Sequence, residues 1–159
     1  MRVTKIIDEH TEQVNYFNML NKHLALTKDL ILAHAIPNGG LRNKVVAKKL
    51  KAEGVKSGVP DIFIPIPRNG FHGLYIEMKK TKGWSINQNQ KFWLNYLNDK
   101  SYYAVVCKGA FEAYDVTMDY LSGDTDNAKR YLLDRSKFNK KDGLNRIYQQ
   151  SAIDLGYCK

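Results

Sequence analysis

The sequence predicts an α/β domain, a mixed β-sheet with helices on its faces, and three observations carry that expectation. Apolar residues alternate between short β-rich runs and longer helical stripes, in the order helix, strand, helix, hairpin, helix, strand, helix. An Asn-Gly pair, Asn69 and Gly70, separates two β-branched and aromatic runs at 58–65 and 73–79, the strongest short-range signal for a tight antiparallel hairpin. The 159 residues are enough to bury one real core, with no repeat and no low-complexity tract to suggest an array.

Each element has its own signal. Residues 8–26 read as a helix whose buried stripe is Val14, Phe17, Leu20 and Leu24, with Thr11 as a cap. Glu12 falls in the first turn, in line with Tyr16, Met19 and His23, where a carboxylate also favours the positive end of the helix dipole. Residues 29–36 read as a buried strand, ended by Pro37 and turned by Asn38, Gly39 and Gly40. His34, Asn38 and Arg42 then follow at intervals that suit a phosphate-facing loop, although a histidine in an apolar strand and an asparagine before two glycines are also ordinary core and turn residues. Residues 42–53 form a lysine-rich helix stopped by Gly54. Its basic run, Arg42, Lys44, Lys48, Lys49, Lys51 and then Lys56, is either a solvated face or a grip on a phosphate backbone.

After the hairpin, Lys80, Lys82, Gly83 and Trp84 make a basic loop running to Asn87, a helix cap. The helix over 88–98 is expected to bury Phe92, Trp93, Tyr96 and Leu97 and to carry Gln90 on its inward side, where a polar amide needs a partner. Residues 102–107 are a buried strand. The helix over 110–121 turns Phe111, Tyr114, Met118 and Leu121 inward, and the turn residues at 123–126 close the core. That gives a core over residues 1–122 and a basic extension over 123–159 that packs on or extends the same domain.

The hairpin puts charge inside apolar strands. A turn centred between Asn69 and Gly70 sets Asp61 across from Met78 and diagonal to Glu77 and Lys79, while Tyr75, Glu77 and Lys79 share one face. The bland reading is the solvated face of a half-buried sheet. The chemical reading is that two neighbouring carboxylates repel unless a divalent cation lies between them, and hard oxygen donors suit Mg²⁺ or Mn²⁺. A lysine beside such an ion orients or deprotonates the attacking water and stabilises charge on a phosphate.

Composition narrows the partner. The 25 Lys and Arg exceed the 16 Asp and Glu, for a net charge of +9, which points to a polyanion. No apolar run approaches a membrane span and no secretory segment opens the chain, so a soluble, cytoplasmic protein is expected, with no membrane partner and no organic cofactor. Cys107 and Cys158 lack metal-type spacing and read as free thiols in a reducing compartment.

Four short motifs stand in a familiar order: Gly54-Val55, Gly58-Val59-Pro60-Asp61, Ile76-Glu77-Met78-Lys79, and Gln90 ahead of an aromatic helix. Over about residues 10 to 121 the chain resembles the VRR-NUC branch of the PD-(D/E)xK nucleases in its small stand-alone, phage-type form. The resemblance implies a restriction-endonuclease-like core and a Mg²⁺-dependent phosphodiesterase, with Mn²⁺ able to substitute. It further implies that Asp61 and Glu77 hold the metal with help from Glu12 and the Met78 backbone carbonyl, Glu9 being the alternative if the helix register slips. Lys79 then acts as the catalytic lysine, supported by Gln90, and His34, Asn38, Arg42, Lys44, Lys48, Lys80 and Lys82 line the nucleic acid. Its small members suggest a homodimer cutting branched DNA such as a four-way (Holliday) junction. A flap-directed, less selective or restriction-like nuclease, a catalytically dead relative, and a non-catalytic basic binding module are the alternatives.

Overall fold

The computed structural model describes residues 7–25, 27–37 and 44–123. Asn38, Arg42, the Lys44 side chain and the extension from 124 onward lie outside the described residues. The chain runs through helix α1 (Glu9–His23), a 3-10 turn (Lys28–Leu32), strand β1 (His34–Ala35), helix α2 (Lys44–Ala52), strands β2 (Ile62–Ile64) and β3 (Leu74–Lys79), helix α3 (Gln88–Asp99), strand β4 (Tyr103–Lys108) and helix α4 (Ala110–Ser122). The strands form one mixed sheet in the order β1-β2-β3-β4, antiparallel across the first two pairs and parallel between β3 and β4. The α/β class read from the sequence is the class adopted.

Strand alternation gives the sheet two unequal faces. On one, Ile62, Leu74, Ile76, Met78 and Val105 pack beneath α1 and α4 in the larger core. On the other, Ala104 and Val106 meet Leu94 and Leu97 of α3, with Tyr75 and Trp84 at the margin.

Several inward faces differ from the expected ones. Asp8, not Thr11, caps α1, its side chain accepting from the Thr11 amide at 2.7 Å. The α1 stripe that is buried is Glu12, Tyr16 and Leu20, while Val14 is 45% exposed. The helix is rotated from the apolar count because Tyr16 buries a large ring and satisfies its hydroxyl on Thr117 at 2.8 Å. On α4 the buried set is Ala110, Ala113, Val116, Thr117 and Tyr120, and Phe111 faces solvent. On α3 only Leu94 and Leu97 are buried. Phe92 and Tyr96 stack on each other half-buried, and the Trp93 indole N–H donates to the Ser57 carbonyl at 3.1 Å.

The expected strand at 29–36 is mostly a 3-10 turn. Leu30 alone points inward, Ile31 and Leu32 are exposed, and Asp29 pairs with Arg68 at 3.0 Å. A short apolar run does not distinguish strand from turn by periodicity, and only His34 and Ala35 pair with β2.

The hairpin turn is where the sequence placed it, with Asn69 and Gly70 both at positive φ, 49° and 81°. Its register is not. Arg68 bridges Phe71, yet Ile64 pairs with Leu74, so three residues on one arm oppose two on the other. The extra residue falls in Pro65-Ile66-Pro67, where two prolines supply no ladder amide and the Ile66 amide turns back to the Ile64 carbonyl at 2.9 Å. Continuing the observed pairs brings Asp61 level with Glu77 rather than with Met78.

The outer edge of β4 is closed by side chains. The Asn98 carboxamide accepts from the Ala104 amide at 3.1 Å and donates to the Ala104 carbonyl at 2.8 Å, as a pairing strand would. Further along, the Lys108 amide donates to Glu112 Oε2 at 2.8 Å.

Candidate active site

The charged residues of the hairpin meet at the C-terminal end of β3, where the N-termini of α1 and α3 also arrive. Pro60 and Asp61 are brought there by a loop pressed onto the first turn of α3. Gly58 has φ +85°, and a Cβ on it would lie 2.6 Å from the Asn89 carbonyl carbon, so the close approach needs glycine. The Asp61 carbonyl accepts from the Ile36 amide at 2.7 Å, and its carboxylate Oδ2 accepts from the Met78 amide at 2.9 Å. The Lys79 carbonyl turns the other way, to the Gly109 amide at 2.7 Å, so by strand alternation the Met78 carbonyl opens on the Asp61 side.

Glu77 and Lys79 are buried, 1% and 5% exposed. Lys79 Nζ lies 2.9 Å from Glu77 Oε1 and 3.7 Å from Glu9 Oε1. Gln90 donates to the same Glu77 oxygen. Its orientation is fixed by a capping box, because Gln90 Oε1 accepts from the Asn87 amide at 3.0 Å, which leaves the amide NH₂ to face Glu77. Both donors therefore crowd one oxygen, and Glu77 Oε2 is buried with no hydrogen-bond partner among the described residues.

Burial, and then the Asp61 charge, push the Glu77 carboxyl up to about 7, against the pull of Lys79. Burial also raises Asp61, partly offset by the Met78 amide and Lys79, with Glu9 pushing further up. For Lys79, burial favours the neutral amine, but the hydrogen bond to Glu77 and the charges of Glu77, Glu9 and Asp61 outweigh it and raise the pKa. Lys79 is therefore an ammonium at neutral pH.

A buried carboxylate oxygen without a partner, beside a second carboxylate level with it, is a donor set that fits a hard divalent cation. Among the described residues no three His, Cys, Asp or Glu side chains converge as a ready-made metal group. Mg²⁺ keeps several waters and takes as few as one or two carboxylates, so Asp61 and Glu77 suffice chemically.

The first helix offers Glu9 to this cluster. Glu12 is committed elsewhere: its Oε2 accepts from the Ala110 amide at 2.9 Å, at the N-terminus of α4, and its carboxylate lies 3.3 Å from where a Gly109 Cβ would stand. Glu12 follows from the rotation of α1, which turns Glu12 into the core together with Tyr16. Of the expected nucleic-acid residues, His34 is exposed on β1, edge-on to Phe63 at 5.7 Å, with Nδ1 bonded to the Leu32 carbonyl at 2.9 Å. Lys48 is exposed on α2, and Lys80 and Lys82 continue directly from Lys79. Sequence reading passed over Lys108. Only the parallel register, which sets it beside Lys79, reveals it.

A family model described as "VRR-NUC domain" matches residues 2–111. Among curated proteins nothing matches. A solved structure described as "VRR_NUC domain protein" is similar at 30% identity and a TM-score of 0.64, over 75% of this chain and 92% of that one. Matched over most of its length by the family model and by a structure with the same fold, the chain belongs to the VRR-NUC domain family, a family of nuclease type.

Proposed function

We propose that the protein is a Mg²⁺-dependent endonuclease that hydrolyses DNA phosphodiester bonds. The observation that carries the reading is Glu77: a carboxylate buried beside Asp61, with one oxygen engaged by Lys79 and Gln90 and the other without a partner among the described residues. Asp61 and Glu77 would hold the ion, with the Met78 carbonyl opening on the same side and Glu9 as the contribution of the first helix in place of Glu12. When bound, Mg²⁺ supplies positive charge to the phosphoryl oxygens and a nucleophilic water at neutral pH.

The chain's own residues do the rest. Lys79, kept protonated by its carboxylate neighbours, acts as a hydrogen-bond donor that orients the attacking water and stabilises charge building on the phosphate, rather than as a base. Gln90, locked by its capping box, holds Glu77 in one rotamer and keeps its second oxygen aimed away from Lys79. Lys48, Lys80 and Lys82, with His34, would draw in the phosphate backbone in a salt-sensitive way. We further infer action as a homodimer on branched DNA, since a two-fold enzyme cuts paired strands of a junction symmetrically, and a cytoplasmic setting in keeping with the free, buried thiol of Cys107. No helix among the described residues is long and apolar enough to cross a membrane.

The test is to incubate the full chain with labelled duplex, flap and four-way-junction DNA, with and without Mg²⁺ or Mn²⁺. Metal-dependent nicking that is lost in Lys79→Ala while binding persists is the expected result. Binding without cleavage by the wild type under all these conditions would sink the enzymatic reading and leave a basic binding module. Preference for the junction, and light scattering at the mass of two chains, check the finer claims.

A further inference from the structure

β3 and β4 end side by side, with Lys108 level with Lys79. Registered neighbours on adjacent strands stand about 4.8 Å apart and point to the same face, so Lys108 follows Lys79 onto the α3 side. Its main chain is pinned on both sides, the Lys108 amide to Glu112 at 2.8 Å and the Gly109 amide to the Lys79 carbonyl at 2.7 Å. The Lys108 ammonium lies over the Trp84 ring, 5.3 Å from its centroid, and Trp84 in turn packs on the Leu94 and Leu97 cluster. Among the described residues no carboxylate pairs with this ammonium, whereas Lys49 and Arg68 each have one and Lys79 has two. Glu112 is engaged with the backbone amide instead.

An aromatic face restrains a long side chain without neutralising it. Lys108 thus meets an anion with its full charge and with part of its rotamer freedom already lost. We propose that Lys108, held by Trp84, binds the phosphodiester next to the one presented to Lys79, so that the substrate strand crosses from β3 to β4 over the C-terminal ends of the two strands. Lys80 and Lys82 stand on the loop that leads from Lys79 to Trp84. The proposal rests on the nuclease reading for its substrate and adds to it a binding residue and a strand path.

The structure supplies its own control. Lys100 lies over Tyr96 at 5.5 Å in the same kind of contact, at the opposite end of α3. Binding of fluorescein-labelled duplex and four-way-junction DNA to the full chain, in EDTA across a salt series, separates the two. Lys108→Ala should weaken binding roughly 5–10-fold near 0.1 M salt and make the log–log salt slope shallower by about 1. Lys108→Arg should restore both, Trp84→Leu should weaken binding with the slope kept, and Lys100→Ala should change neither. Wild-type affinity and slope in Lys108→Ala, or an equal loss in Lys100→Ala, overturns the proposal. A wild type that binds no DNA overturns this and the nuclease reading together. Binding that behaves as expected without any Mg²⁺-dependent cutting supports the Lys108 contact and removes only the nuclease reading.

Discussion

The two faces of the sheet are built for different ends. Beneath α1 and α4, β2, β3 and β4 bury Ile62, Leu74, Ile76, Met78 and Val105 against a continuous apolar layer. Beneath α3 the same β3 strand presents Tyr75, Glu77 and Lys79, and only Leu94 and Leu97 of the helix are fully buried. One strand therefore contributes its even-numbered residues to the larger core, while Glu77 and Lys79 on its other face supply the proposed active site. A charged row can be buried at Glu77 and Lys79 because the other face holds the domain together.

That division can be broken first at the charged row. Glu77→Gln or Asp61→Ala should lower metal-dependent cleavage by at least about 10³-fold while the protein stays folded, measured as initial rates alongside circular dichroism. Comparable cleavage in either variant would move the chemistry off this face. On the other face, Leu74→Ala should cost about 3–5 kcal/mol in denaturant unfolding, against about 2 kcal/mol for Leu97→Ala beneath α3. Equal costs would erase the asymmetry.

The two glutamates of α1 sharpen it further. Glu12→Ala removes the partner of the Ala110 amide and should destabilise by about 1–3 kcal/mol, with cleavage per folded molecule reduced less than in Glu9→Ala. Glu9→Ala should leave the melting temperature within about 2 °C, because Glu9 is half exposed and its contact with Lys79 is long. The reverse pattern would return Glu12 to the metal.

A further test concerns pH. Glu77 titrates near 7 in the folded protein against an ordinary 4.5, so its contribution to stability is fully present below about pH 4.5 and is lost as pH rises through about 7. Metal-free protein should therefore lose on the order of 2 kcal/mol between pH 5 and pH 8.5 from this group. Glu77→Gln should flatten that slope, and Mg²⁺ should restore stability to the wild type but not to the variant. A slope unchanged in Glu77→Gln would assign the pH dependence to other groups.

Much of this was legible in the residues. Asn69-Gly70 named the hairpin, the 73–79 run named the strand that carries Glu77 and Lys79, and the position of Gln90 seven residues before the buried Leu97 named its inward side. What escaped was rotation and register. The α1 stripe was misplaced because an apolar count does not credit Tyr16 and Glu12, which are buried only because Thr117 and the Ala110 amide receive them from 98 or more residues away. The level of Asp61 was missed because the surplus residue between Pro65 and Pro67 shifts one arm of the hairpin against the other. Lys108 left no signal at all, since its position beside Lys79 is set by a crossover and not by any local spacing.

The closed edge of β4 has a consequence for assembly. Asn98 belongs to the last turn of α3, so the Ala104 amide and carbonyl, which would otherwise template another strand, are masked once that helix has docked, while Glu112 of α4 takes the Lys108 amide. Resistance to runaway sheet growth at Ala104 is thus coupled to the seating of one helix. Variants that loosen α3 should therefore become open to intermolecular strand pairing at this edge.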